Sequence, residues 1–207
     1  MALQHSPSIY TPNLQICLDA SNPRSYSGSG TTWYDISGSS NVFGGTNYTY
    51  PSIGGTGLKQ YFVFINNGTT VNNINSSTIV TSTYTQPQYT RIGWFYLTGT
   101  NNAWSPIFQN NIGNNADMAL VVSGGKIAFH QYTNSITSGT ANQDYTVSGS
   151  TTISTNTWYQ GAMTVNRSTN SLSLYVNGVL DTTTSINVIG NSSSDIMLVG
   201  GAGTDSY

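Results

Sequence analysis

Polar and apolar residues alternate one for one through "SLSLYV" (171–176), and the pattern resumes after an Asn-Gly pair in "VL" (179–180). In an extended chain Leu172, Leu174 and Val176 share one face, while Ser173 and Tyr175 share the other. Asn177-Gly178 suits a two-residue type I′ turn, because both central positions need positive φ. Upstream, "TWYQGAMTV" (157–165) reads as another strand and "NRSTN" (166–170) as its turn, so residues 158–184 form a three-strand meander. "VVSGGKIAFH" (121–130) is a second hairpin with Gly124-Gly125 in its turn.

Further strand-length apolar runs are "LQICLDA" (14–20), "QYFVFI" (60–65), "TRIGWFYLT" (90–98), "PIFQN" (106–110), "MALVV" (118–122) and "DIMLVGG" (195–201). Clusters of Gly, Asn, Ser and Thr separate them. Ten or more short strands joined by hairpin turns predict an all-β sandwich or barrel. "YFVFI" is apolar on both faces, with Tyr61, Val63 and Ile65 on one side and Phe62 and Phe64 on the other. Only one face of each sheet in a sandwich meets the core. A run apolar on both sides therefore predicts a second covered surface, made by packed loops, a partner or a ligand groove.

Composition sharpens this reading. Charged residues are 6% of the 207, against about a quarter in ordinary globular proteins. There is no glutamate; the seven acids are all aspartates, and the five bases are Arg24, Lys59, Arg91, Lys126 and Arg167. The polar surface must then be Ser, Thr, Asn, Gln and Gly, residues that favour turns and strand edges over helix interiors. A net charge of −2 with so few bases excludes an electrostatic nucleic-acid binder and a polybasic membrane contact. No apolar run reaches membrane-spanning length. Residues 1–13 read as an arm, with Pro7 and Pro12 and little pattern, followed by one domain over 14–207. The opening "MALQHSPSIYTPN" has neither a basic nor an apolar leader region, so synthesis in a cytoplasm is expected. The lone Cys17 excludes an internal disulfide and reads as a buried structural thiol.

The order of the motifs resembles laminin-G-like, concanavalin A-like jelly-roll domains of the type found in bacteriophage structural proteins. "LQICLDASNPRSYSGSGTTWYDISGSSN" (14–41) is similar to their opening, and "YFVFINNGTTVNNI" (61–74) to the strand and loop that follow. "YTRIGWFYLTG" (89–99) resembles their central tryptophan-bearing strand, and "ADMALVVSGGKIAFH" (116–130) their middle hairpin. "NTWYQGAMTVNRSTNSLSLYVNGVL" (156–180) resembles them most, and "IMLVGG" (196–201) is similar to their penultimate strand. The resemblance implies an all-β, two-sheet antiparallel jelly-roll sandwich. It also implies a closing strand beyond "GGAGTDSY", whose absence would leave an edge for a neighbouring chain to cover.

The same resemblance frames the candidate chemistry. Relatives of this fold that hydrolyse glycosides use glutamates spaced around an aspartate on one strand. This chain has none, and no two of its aspartates are closer than ten residues, so it is expected not to be an enzyme. His5 lies in the arm, and His130 ends a predicted strand as a structural residue. In laminin-G-like domains an aspartate just before the middle hairpin strand can ligate calcium. Asp117 falls on that position, with Asp181 or Asp195 as a companion, against the plainer reading of a solvated loop aspartate. Asp19 and Asp35 read as turn aspartates near Asn22-Pro23 and Ser37-Gly38, with Trp33 packed beside them as an anchor. Sugar binding is the main function the fold implies, since aromatic rings stack on sugar faces while Asn, Asp and Gln bond hydroxyls. Tyr96, Trp104, Tyr132 and Tyr145 are the candidates, weighed against tyrosine's general preference for strands.

The expectation is therefore a non-enzymatic virion-surface decoration protein, made in a host cytoplasm. Neighbouring virion proteins or further copies of the chain would be its partners, and a glycan a possible ligand. The alternative is a carbohydrate-binding module of a bacterial surface protein.

Overall fold

The computed structural model describes residues 12–44, 50–65, 73–77, 86–99, 105–111, 116–133, 143–185 and 196–200. Among them lie fourteen strands and one 3-10 turn, Gly57–Lys59. The larger sheet has eight antiparallel strands. In spatial order they are β1 (Thr32–Tyr34), β2 (Val42–Gly44), β5 (Asn73–Ser76), β14 (Ile196–Gly200), β7 (Ser105–Asn111), β8 (Ala116–Ser123), β9 (Lys126–Thr133) and β10 (Gln143–Thr152). The smaller sheet has four, β13 (Val179–Ser185), β12 (Ser171–Val176), β11 (Trp158–Asn166) and β6 (Gln88–Tyr96). A separate hairpin pairs β3 (Ser52–Gly54) with β4 (Tyr61–Val63).

The two sheets face each other across a buried cluster. The larger sheet contributes Ile107, Leu120, Val122, Ile127 and Phe129; the smaller contributes Met163, Val165, Leu172, Leu174 and Val176. The predicted meander is β11, β12 and β13, with Leu172, Leu174 and Val176 inward as the alternation requires. Its turn residues Asn177 and Gly178 take positive φ, and so do Gly124 and Gly125 between β8 and β9. Gly93 and Gly161 stand opposite each other on β6 and β11. A Cβ at Gly93 would meet Phe108 at 2.8 Å, and one at Gly161 would meet Ile127 at 2.6 Å. The missing side chains let the smaller sheet approach this closely.

A second cluster lies under the other half of the larger sheet and gathers Tyr26, Trp33, Phe43, Ile74, Met197 and Val199. Phe62 is driven into it from β4, with its ring 4.5 Å from Trp33 and 5.0 Å from Tyr26. The run that reads as apolar on both faces thus serves two surfaces, because Phe62 and Phe64 join this cluster while Tyr61 points out of it.

Three features differ from the sequence reading. "LQICLDA" is extended but not a strand. Ile16, Leu18 and Ala20 alternate onto the second cluster, yet side chains rather than a ladder satisfy part of the backbone: the Cys17 amide donates to Asp35 Oδ1 and the Asp19 amide to Ser25 Oγ. β10, "QDYTVSGSTT", is a strand without an apolar run, because it is mostly polar. Finally, β14 is bonded on both sides, to β5 and β7, so it leaves no open edge beside it. The outermost strands are β1 and β10 in one sheet and β13 and β6 in the other. Apart from Pro12 and Asn13, the expected arm lies outside the described residues.

The first motif is structural, as its turn chemistry predicts. Asp35 accepts from the amides of Cys17 and Ser37, each at 2.8 Å, from the Ser37 hydroxyl at 2.8 Å and from Asn41 Nδ2 at 2.9 Å. Asp19 accepts from the Ser21 amide at 2.9 Å, and Trp33 is buried nearby. Cys17 is half-buried; burial first, then the Asp35 and Asp19 carboxylates, push its thiol up from the usual value.

Candidate functional site

Alternation along β6 divides it cleanly. Tyr89, Arg91 and Phe95 turn toward the sandwich interior, and Thr90, Ile92, Trp94 and Tyr96 turn outward. On β11 the inward set is Tyr159, Met163 and Val165, and the outward set begins with Trp158 and Gln160. Register places Trp158 opposite Tyr96 and Gln160 opposite Trp94. An antiparallel sheet with one face on a core normally shows water its polar side. Here that side carries Trp94 at 64% exposure, Trp158 at 43% and Tyr96 at 38%.

A third ring comes from the β3–β4 hairpin. Tyr61 stands opposite Gly54, and its ring lies over that glycine, where a Cβ would come within 2.4 Å of it. Only the absence of a side chain at Gly54 permits this placement. Tyr61 then meets Trp158 edge-on, centroids 5.4 Å apart at 78°, and Tyr96 meets Trp158 from β6 at 5.4 Å and 47°. These are favoured tilted geometries, and each orients Trp158 without covering it. The Tyr96 hydroxyl donates to Asn156 Oδ1 at 3.3 Å. Gln160 beside it is braced through its backbone, which exchanges hydrogen bonds with Asn177 of the β12–β13 turn at 2.9 and 2.8 Å.

Gly55, Lys59, Gln60, Tyr61 and Trp158 line a groove of about 450 Å³ against these rings, within the usual size range of small-ligand sites. It presents mainly apolar surface, with Lys59 and Gln60 the polar residues of its lining. Flat apolar surface beside a few polar groups is what a pyranose needs, since its C–H face stacks and its hydroxyls bond. Among the described residues no carboxylate lines the groove.

Of the sequence candidates whose side chains are described, Tyr96 joins this cluster. Tyr145 is exposed but belongs to β10 of the larger sheet, opposite Gln131. Tyr132 lies on β9, opposite Asp117 of β8 and Asp144 of β10. Trp104 and Asp195 fall outside the described residues. Asp181 does not fit the role of a free calcium ligand. Its carboxylate accepts from the amides of Ser150 and Thr151, at 2.8 and 2.9 Å, and from both of their hydroxyls. Among the described residues no group of three or more His, Cys or Asp is placed to hold a metal ion. His130 is buried on β9.

Sequence reasoning missed Tyr61, Trp158, Lys59 and Gln60. The signal for Trp158 was phase. Counting back from the apolar pair Val165 and Met163, Trp158 falls on the opposite, water-facing side of its strand.

Arg91 and Arg167 lie on either hand of the Tyr89 ring, 5.5 and 5.2 Å from its centroid. Burial raises the Tyr89 hydroxyl against the pull of these two cations, and burial lowers Arg167.

Two facing antiparallel sheets around one buried cluster define a concanavalin A-like β-sandwich. The chain belongs to the concanavalin A-like lectin/glucanases superfamily, whose family profile matches residues 66–207. No curated protein sequence matches it. Among solved structures it is similar to the botulinum neurotoxin type G receptor binding domain, with TM-score 0.59 and 18% identity over 92% of this chain and 43% of that one. It is also similar to the binding domain of botulinum neurotoxin DC in complex with SialylT, with TM-score 0.61 and 15% identity over 90% of this chain and 42% of that one. A third is the type C neurotoxin structure titled for cell entry dependent on two ganglioside molecules, with TM-score 0.58 and 12% identity over 93% and 44%. The chain spans less than half the length of each of these, and at such identities the likeness is one of fold.

Proposed function

We propose that the protein is a non-enzymatic glycan-binding module whose sugar stacks on Trp158 and Tyr96, with Tyr61 as a wall. One observation carries this reading: Trp158 stays 43% exposed beside a groove on a sheet face that should be polar, with Tyr61 of the hairpin edge-on to its ring and Tyr96 of β6 tilted against it, each 38% exposed. Large aromatic surface kept open but oriented is a preorganised binding platform, because little freedom remains to be lost when a ligand arrives. The fold is one on which similar botulinum domains are titled as bound to SialylT or dependent on gangliosides; this supports the class of ligand and places none on this chain. The test is a glycan array with the intact protein and its Trp158→Ala variant. Retention of one glycan class that the variant loses is expected; equal retention by both, or none, overturns the reading. A chelator in the binding buffer reports on calcium, and sugar release from a polysaccharide panel would overturn the non-enzymatic reading.

The module is further proposed to sit on a virion surface as a decoration. The resemblance of its ordered motifs to bacteriophage structural domains supports this, as does a chain with only 6% charged residues. A mass-spectrometric count in purified particles from the source tests it. A high, symmetric copy number is expected. Absence from particles favours a carbohydrate-binding module of a bacterial surface protein.

A further inference from the structure

We infer that the groove selects anionic saccharides, sugars carrying a carboxylate or sulfate, through the ammonium of Lys59; this rests on the reading of the groove as a glycan site. Cations are scarce in this chain, five in 207 residues, so their placement carries information. Arg91 and Arg167 are committed to the Tyr89 ring, and Arg167 also donates to the Gln86 carbonyl. Lys59 is the cation that lines the groove.

Its position is set by the backbone. The 3-10 turn Gly57–Lys59 is closed by the Lys59 amide donating to Thr56 O at 3.2 Å and the Gln60 amide donating to Gly57 O at 3.3 Å. Gly55, at φ +71°, folds the chain so tightly that a Cβ there would meet the Lys59 carbonyl at 2.0 Å. The glycines therefore wrap the hairpin so that Lys59 stands on the rim beside Tyr61 and Trp158. The carboxylates of Asp19, Asp35 and Asp181 are each held by amides and hydroxyls in other parts of the fold. Lys59 is exposed, so its attraction for an anion at the groove is strongest at low salt and is screened as salt rises. Lysine is a compact point charge without the planar fork of arginine, so it accepts carboxylate and sulfate alike.

The test is isothermal titration of the full chain with matched pairs of saccharides. Oligogalacturonate against its methyl ester and sialyllactose against lactose report on carboxylates. A sulfated chondroitin oligomer against its desulfated form reports on sulfate. At least one anionic member is expected to bind at least tenfold more tightly at low salt, with the ratio falling as salt rises. Lys59→Gln should bring that ratio close to one, and Lys59→Arg should keep the preference. Trp158→Ala should weaken both members. Equal affinities within every pair, or a ratio that survives Lys59→Gln, would overturn this inference and leave the glycan reading standing. No binding of any member would overturn both.

Discussion

The two faces of the smaller sheet are built from the same strands and are both rich in apolar side chains, yet they do opposite things. Inward, Phe95, Met163, Val165, Leu172 and Leu174 close onto the larger sheet. The opposed Gly93 and Gly161 remove the last bulk between the layers. Outward, Trp158 meets Tyr96 and, from the β3–β4 hairpin, Tyr61, while Trp94 stands exposed beside them. The difference lies in shape. Aliphatic chains interdigitate across the core at crystal-like density. Rings on the outer face are propped at their edges and keep a flat surface free. Hydrophobicity alone therefore marks neither face as core or site; phase on the strand, together with what stands opposite, does.

The comparison is broken most severely from the inside. Leu174→Ala empties a fully buried position between the sheets and is expected to cost about 2–5 kcal/mol of stability, read by chemical denaturation. Gly161→Ala should cost about 1–3 kcal/mol by the opposite fault, overpacking, because the new methyl meets Ile127 and Phe95. On the outer face the same kind of change should leave the fold alone. Trp158→Ala is expected to lower glycan affinity at least tenfold, about 1.4 kcal/mol, while unfolding near the parent's denaturant midpoint. If it instead lost as much stability as Leu174→Ala, the ring would be part of the core and the two faces would not differ.

Local signals made much of the inner face legible in the sequence. Leu172, Leu174 and Val176 alternate, the Asn177-Gly178 turn takes the φ values its residues favour, and Asp35 ties its own turn at Ser37. The outer site was less legible because it is assembled from residues far apart. Tyr61 and Trp158 are ninety-seven positions apart in sequence and meet only after a separate hairpin folds beside β11. Tyr96 stood among the candidates because it sits in an aromatic-rich run, whereas Trp158, at the first position of its strand, read only as the start of a meander. Lys59 lies at the end of a Gly-rich stretch with no periodicity, and the two-faced run that starts at Gln60 left packed loops, a partner and a groove equally open. A strand such as β10, whose apolar side chains are only Tyr145 and Val147, leaves little hydrophobic trace.

Where the two sheets meet at the rim, a carboxylate takes the place of packing, and its effect should be the smallest of the set. Asp181 projects from β13, the edge of the smaller sheet, to Ser150 and Thr151 of β10, the edge of the larger one. It lies so close over Gly149 that a Cβ there would sit 1.8 Å from Oδ2. Burial pushes its pKa up, but the hydrogen bonds from Thr151 and Ser150 outweigh that and hold it below the usual carboxylate value. Because the folded pKa is the lower one, the clasp contributes its full stability above the unfolded value of about 4 and loses it as pH falls through the folded pKa. Asp181→Asn should therefore unfold more easily than the parent at pH 7, by a gap that narrows as the pH drops below about 4. Denaturant midpoints for both proteins between pH 7 and pH 2.5 measure it. A gap that stays constant to the acid end would mean that the charge does nothing and that only the shape of the side chain matters. Gly149→Ala separates those cases. It leaves the carboxylate in the chain but pushes it off Ser150 and Thr151, so it should reproduce the loss at pH 7 and, like Asp181→Asn, flatten the acid limb.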